Sequence, residues 1–292
     1  MNMQALLHQI LSGLVNGSMY ASVALALVMI FKATHQVNFA QGELAMFSTY
    51  VAFTLIEVGV PYWAAFVLTL GVSFAVGVAI ERFIMRRFRN ASPLTAVIVF
   101  IGLLVLLNGL VGWIYTYTPQ KFPSPFDPSA WYGTIYMSPH EVGMIAVTLV
   151  VLAIVFAFFR FTKLGLAMRA AAENPQSSRL VGIRVDWMLA LGWGLASVLG
   201  AVAGMMAAHK LTLEPNMMSS VILYGFAAAL LGGIDNPWGA PIGGFVVGVL
   251  ENIAGAYLVG TQLKLALALF VIIAVLLFRP SGLFGRTVVV RV

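Results

Sequence analysis

The sequence predicts an all-α fold, a polytopic bundle of transmembrane helices. Three observations carry that prediction. Hydrophobic residues make up 61% of the 292 residues and charged residues only 9%, against about 25% charged in a soluble domain. Mean hydropathy is +0.97. Apolar runs of about 20 residues, enough to cross about 30 Å of hydrocarbon, recur along the chain. Inside lipid, a helix lets each such run satisfy its own backbone hydrogen bonds. No stretch is long and polar enough for a separate soluble domain, so 1–292 reads as one transmembrane domain.

The spans follow in order. The first is 9–31. It lacks a basic segment before it and a small-residue cleavage site after it, so it reads as a retained span rather than a signal peptide. The polar stretch KATHQVNFAQGE comes next. The second span, 40–58, is the weakest early one, because it contains Gln41, Gly42, Glu43, Ser48, Thr49 and Tyr50. The third, 61–80, leads into the basic loop ERFIMRRFRN, and the fourth is 94–115. Between Thr118 and Glu141 lie five prolines among aromatic residues. The prolines deny a long helix, and the aromatics suit a membrane–water boundary.

The fifth span, 142–159, precedes the longest polar interruption, 160–186, and the sixth is 187–208. After the turn HKLTLEPN the chain is apolar again but broken at Gly232, Gly233, Asp235, Pro237, Gly239 and Pro241. It reads as two spans, 219–234 and 239–258, the first one short; the last span is 264–278. The total is eight or nine, with 31–58 and 219–241 as candidates for re-entrant, discontinuous segments.

Lys and Arg set the orientation. With 81–92 in the cytoplasm and the spans alternating, Lys32, Arg82, Arg86, Arg87, Arg89, the loop 160–186, Arg279, Arg286 and Arg291 share one side. That is 13 of 16 basic residues, with Lys121, Lys210 and Lys264 outside. This orientation places the C-terminus in the cytoplasm and, with nine crossings, the N-terminus outside.

The loop 160–186 holds five basic residues and reads as two short helices. The first is 165–172. In the second, Asn174 suits the N-cap, Pro175 the first helical position and Gly182 the stop. A helix of about seven residues cannot stand alone in water, because nucleation costs more than so few bonds return. It is either a plug for another protein's socket or an interfacial helix lying on headgroups.

Polar residues at membrane depth are the candidates for a pathway. Glu43 and Glu251 read as cavity or interface groups, since an acid deep in a span costs about 2.5–3.5 kcal/mol. Asn16 and Asn108 read as interhelical packing contacts. Gly239, Gly243, Gly244 and Gly248 include small-x-x-x-small spacings that read as tight helix packing. VNFAQGEL and LLGGIDNPWGAPIGG are both glycine-interrupted, a pairing that points to discontinuous helices around a central site. No phosphate-binding loop, HExxH or other metal pair, or Ser/His/Asp arrangement is present. His8, His35, His140 and His209 are scattered and read as boundary residues. Zero cysteines exclude disulfides and Cys-based chemistry. The chain reads as a conduit without its own catalysis.

These motifs bear a resemblance. GLVNGSMYASVALALVMIFKATHQVNFAQGELAM resembles the N-terminal signature of permeases of branched-chain amino-acid ABC importers, with Gln41 where His is commoner. GLAMRAAAENPQSSRLVGI, LLGGIDNPWGAPIGGFVVGVLEN and RPSGLFG resemble that family's cytoplasmic loop, glycine-rich segment and ending, in the same order. Asp235, Asn236 and Trp238 fill the glycine-rich turn unusually.

The resemblance covers the whole chain and is closest to the shorter of the two permease types. It implies a type II-like importer permease in the bacterial inner membrane. Its expected partners are a longer permease, two cytoplasmic ABC ATPases and a periplasmic solute-binding protein. It implies no cofactor in this chain, with ATP-Mg held by the ATPases. It further implies a coupling helix at about 175–181, flanked by Arg169 and comprising Asn174, Pro175, Gln176, Ser177, Ser178, Arg179, Leu180, Val181 and Gly182. In that reading Ala170, Ala171 and Ala172 pack closely and Arg169 and Arg179 meet acidic rims on the ATPase. Candidates for the pathway are Asn38, Gln41, Gly42, Glu43, Gly232, Gly233 and Glu251. The competing function is an ion-coupled or facilitative secondary transporter, which places ionisable residues mid-span.

Overall fold

The structure is a computed structural model, and it describes residues 3–34, 36–89 and 91–285. His35, Asn90, Arg286 and Arg291 lie outside these residues. The described chain forms eleven α-helices: α1 (Met3–Thr34), α2 (Gln41–Glu57), α3 (Tyr62–Ala79), α4 (Pro93–Tyr115), α5 (Pro139–Phe161), α6 (Lys163–Glu173), α7 (Pro175–Leu180), α8 (Val185–Leu211), α9 (Ser219–Gly232), α10 (Gly239–Tyr257) and α11 (Lys264–Phe278).

Local sequence fixes several helix starts. Ser92 caps α4 through the Thr95 amide, with Pro93 in the first turn. Ser138 and Glu141 form a reciprocal capping box at α5, which satisfies two otherwise orphaned donors. Thr162 caps α6 through the Gly165 amide at 2.9 Å.

Seven helical segments are long and apolar enough to cross a bilayer: Met3–Lys32, Tyr62–Phe88, Pro93–Tyr115, Pro139–Phe161, Val185–Leu211, Gly239–Tyr257 and Thr261–Phe278. Eight or nine spans are expected from the sequence, and seven meet the length and composition of a full crossing. The 17 residues of α2 and the 14 of α9 fall short; 14 residues rise about 21 Å, below the bilayer's hydrocarbon thickness.

Both short helices begin partway along the bundle. The Gln41 side chain bonds the carbonyl of Ala196, eleven residues into α8, or about 17 Å from the start of that helix. Gly42 packs on Met218 and Ile222, at the first turn of α9. The starts of α2 and α9 therefore meet inside the bundle.

Helices α1 and α8 form the centre. Eighteen of the 27 residues of α8 are buried, whereas α11 buries only Ala268 and Val275. The glycines of α10 serve two faces. Gly239 and Gly243 abut Gly232 and Ala228 of α9, while Gly244 and Gly248 abut Ala21 and Gly17 of α1. No side chain fits between backbones that close, so each small-x-x-x-small pair is a packing seam. Gly77 of α3 lies against Trp193 and Ser197 of α8 in the same way.

The chain after α11 returns to the turn between α9 and α10. The Leu283 amide bonds the Leu231 carbonyl at 2.7 Å, and the Asn236 side chain bonds the Phe284 carbonyl at 2.8 Å. Asn236 thus fastens the C-terminal segment to the glycine-rich turn. Gly233 makes that turn with φ +108°, a backbone conformation open to glycine and strained for other residues.

Candidate functional site

The VNFAQGEL stretch is a scaffold with an open end. The Asn38 side chain accepts from the Ala40 amide at 3.0 Å and donates to Gln41 at 3.4 Å. Gln41 in turn ties the turn to α8. Both residues are fully buried. They position the first turn of α2 and are not among the residues lining the cavity beside it.

Gly42 and Glu43 do line one. A cavity of ≈ 410 Å³ lies at the meeting of α2, α4 and α9, floored by Gly42, Glu43 and Met218. Its rim carries Phe39, Val105, Gly109, Tyr117, Asn216 and Ser219, all exposed. Asn108 is its hub. The Asn108 Nδ2 donates to Glu43 Oε2 at 3.3 Å, to the Pro215 carbonyl at 3.1 Å and to Asn216 Oδ1 at 3.1 Å, and its Oδ1 accepts from Tyr117 at 3.0 Å. Neither α2 nor α9 has a side-chain cap; their first amides bond the preceding backbone instead, Gln41 to the Asn38 carbonyl at 3.3 Å and Ser219 to the Asn216 carbonyl at 3.0 Å.

Asn108 makes the interhelical bond expected of it, to Glu43 of α2, and it also organises the cavity. Asn216, Tyr117 and Ser219 were missed. They come from turns whose return into the bundle leaves no periodic signal. The position of Asn216 just before a short apolar helix was the one available hint.

Glu251, Gly232 and Gly233 do not line this cavity. Glu251 accepts from the Tyr20 hydroxyl at 2.7 Å and lies 3.4 Å from Lys264 Nζ, which also reaches Asn252 at 2.7 Å. Tyr20 stacks on Tyr224 with ring centroids 4.8 Å apart. This polar cluster is closed between α1, α10 and α11. Gly232 and Gly233 sit at the turn onto which the C-terminal segment folds.

The second feature is the basic end of the bundle. Asn174 caps α7 through the Ser177 amide at 2.9 Å, Pro175 occupies its first turn, and Gly182 follows it with φ +85°. Asp186, at the start of α8, is the hub. It pairs with Arg86 at 2.6 Å, Arg89 at 2.5 Å and Arg179 at 3.6 Å. Arg89 also pairs with Glu81. The residues Ile80–Ile84 are a single π turn followed by the 3-10 turn Met85–Phe88, a local irregularity common at functional positions.

Of the three alanines expected to pack closely, Ala171 packs within the chain, against Val185 and Leu189. Ser178 is buried as well. Arg169 is exposed, whereas Arg179 already has an acidic neighbour in Asp186. Leu180 and Val181 are 89% and 76% exposed.

At the opposite end, the proline-rich loop is fastened by side chains. His140 bonds Ser124 and the Met206 carbonyl, and His209 bonds the Phe122 carbonyl. The two rings lie 4.3 Å apart, so these histidines are neighbours rather than scattered. Ser129 donates twice to Asp127 and holds that carboxyl below the usual range. The loop tip exposes Trp131 and Ile135 almost fully. Among the described residues, no cluster of three His, Asp or Glu is placed to hold a metal ion.

Known proteins resemble this chain in sequence along nearly its whole length. The family profile described as branched-chain amino acid transport system / permease component matches residues 9–276. The chain is 31% identical to the high-affinity branched-chain amino acid transport system permease protein LivH of Escherichia coli K12, over 98% of this chain and 97% of that one. It is 33% identical to the permease protein BraD of Pseudomonas aeruginosa, over 98% of both chains. A probable branched-chain amino acid transport permease of Methanocaldococcus jannaschii is 30% identical over 90% of this chain and 87% of its own. Seven bilayer-length helices and full-length similarity agree: the chain belongs to the family of permease components of branched-chain amino acid transport systems, as a multi-pass inner-membrane protein.

Proposed function

We propose that this chain is the shorter of two non-identical permeases that together line an import pathway for branched-chain amino acids. Two cytoplasmic ATPases, which carry the ATP-Mg, dock at the basic end, and a solute-binding protein docks at the opposite end. The basic end and the C-terminus are then cytoplasmic. Family membership favours an ATP-driven importer over an ion-coupled carrier.

The observation that carries this reading is the exposed apolar tip of α7. Leu180 and Val181 stand out from a capped six-residue helix. Such a helix is too short to hold itself; here Arg179, Asp186, Arg86 and Arg89 join it to α8 and to the end of α3. A rigid contact of this kind can pass a push from an ATPase groove to the spans, where a flexible loop could not. The exposed Trp131 and Ile135 supply a comparable apolar knob for the binding protein. The polar rim of the Glu43 cavity is costly against lipid, which supports its facing the second permease. The pathway then runs past Gly42 and Glu43, with Asn38 and Gln41 holding the turn.

The test uses the assembled transporter in proteoliposomes. Arg179→Glu, or a glycine inserted within 175–181, is expected to lower uptake and substrate-stimulated ATP hydrolysis together while membrane insertion stays normal. Normal coupling in both variants overturns the docking assignment.

A further inference from the structure

The basic end of the bundle holds more positive charge than its acids take up. A second cavity, of ≈ 460 Å³, opens there between the end of α3 and the start of α8. Its lining includes Arg82, Arg86, Arg179 and Arg184, against Glu81 and Asp186. Both acids are engaged, Asp186 by Arg86, Arg89 and Arg179, and Glu81 by Arg89. Among the described residues no ion pair reaches Arg82 or Arg184. Two guanidinium groups therefore share one small space without a counter-charge.

Their position says what kind of anion belongs there. Along α3, Arg82 lies about 30 Å from Tyr62 by the rise of a helix, which is one hydrocarbon thickness. It therefore stands at the level where lipid headgroups begin. The Arg82 guanidinium lies 5.7 Å from the centre of the Trp187 ring. That contact steadies the group over the ring face and leaves its N–H edge to bind. Trp187 is 44% exposed and Phe83 66% exposed, an aromatic surface that suits the membrane–water boundary. Ile183, Val185 and Ala190 give the cavity an apolar wall. A guanidinium fork matches phosphate oxygens in pairs, and basic pockets between spans take anionic headgroups. A free phosphate ion would use the arginines and leave the aromatic and apolar surface without a partner. Leu180 and Val181, assigned above to the ATPase contact, do not line this cavity.

We infer that the cavity binds the headgroup of an anionic phospholipid. Arg82 and Arg184 take its phosphate oxygens, Trp187 lies against its glycerol region, and its acyl chains run past Phe83. The bound lipid bridges the end of α3 to the start of α8, beside the Asp186 network that joins the same two helices.

Native mass spectrometry of the assembled transporter tests this, with phosphatidylglycerol or phosphatidylcholine of the same acyl chains added. The wild type is expected to retain phosphatidylglycerol in preference to phosphatidylcholine. Arg82→Gln/Arg184→Gln should weaken that retention at least about tenfold, the loss expected for one charge-assisted hydrogen bond. Arg82→Lys/Arg184→Lys, which keeps the charge, should preserve part of it. Arg160→Gln/Lys163→Gln removes the same charge at the same end, from two exposed residues outside the cavity, and should change retention little. Inorganic phosphate at millimolar concentration should not release the lipid. Melting midpoints in detergent report folding, and neither cavity arginine has an ion pair whose loss would lower them. Equal retention in Arg82→Gln/Arg184→Gln and the wild type, or an equal loss in Arg160→Gln/Lys163→Gln, overturns the inference. Release by inorganic phosphate also overturns it, by assigning the cavity to a soluble anion.

Discussion

Glu43 and Glu251 are the same residue type, buried to nearly the same degree, in the two glycine-interrupted halves of one chain. They do opposite things. Glu251 is enclosed by Tyr20 and Lys264 at a helix seam. Glu43 has only Asn108 and faces a cavity. The difference lies in the neighbours. Lys264 begins α11, and the fold carries it back to α10; among the described residues no ion pair reaches Glu43. Burial of an acid is thus not by itself a mark of function. Burial without a compensating partner is the sharper sign.

This contrast can be broken at several points. The largest effect is expected from Lys264→Met, which strands the Glu251 charge. Leaving one member of a buried pair alone costs about 3–5 kcal/mol, read as a lower melting midpoint of the purified protein. Adding Glu251→Gln to it should recover much of that loss. A double variant as unstable as the single one would mean that the cluster does not act as a pair.

Next in size is Gly248→Ala. Its Cβ would meet the backbone of Gly17 and Gly13 on α1, and overpacking of that kind costs about 1–3 kcal/mol. Gly109→Ala, on the cavity rim with nothing within 4 Å, should leave stability unchanged. Equal midpoints for the two would show that the α1–α10 seam is looser than its geometry implies.

Glu43→Gln should change the midpoint by no more than about 0.5 kcal/mol, because it removes a charge that has no cation to lose. Destabilisation comparable to Lys264→Met would make Glu43 a structural residue like Glu251. A stability effect well below that of Lys264→Met is expected for Asp186→Asn. It loosens partly exposed ion pairs worth about 0–1 kcal/mol each, yet by freeing α7 from α3 it should lower substrate-stimulated ATP hydrolysis. Unchanged hydrolysis would separate the Asp186 network from coupling.

Some of this was legible in the residues. Asn174, Pro175 and Gly182 announced α7, because capping chemistry is local and acts within one turn. The paired glycines of α10 announced close helix contacts, although not that their two sets face different helices. Long apolar runs gave the spans. Where the reading strained, at 40–58 and 219–234, the structure has its two short helices. A polar or glycine-broken run cannot cross lipid alone, but it can begin inside a protein.

What the sequence by itself determined is therefore the class, the helix ends with local caps and the basic end with its short capped helix. Composition, spacing and side-chain-to-backbone bonds act over a few residues. What only the tertiary structure decided is which deep acid is paired, that Asn108 faces Glu43 across 65 positions of sequence, and that Leu180 points outward while Ala171 does not. Those outcomes depend on which helices become neighbours. Helix–helix packing sets that, through backbone contacts such as Gly248 on Gly17, whose residues lie far apart in the chain.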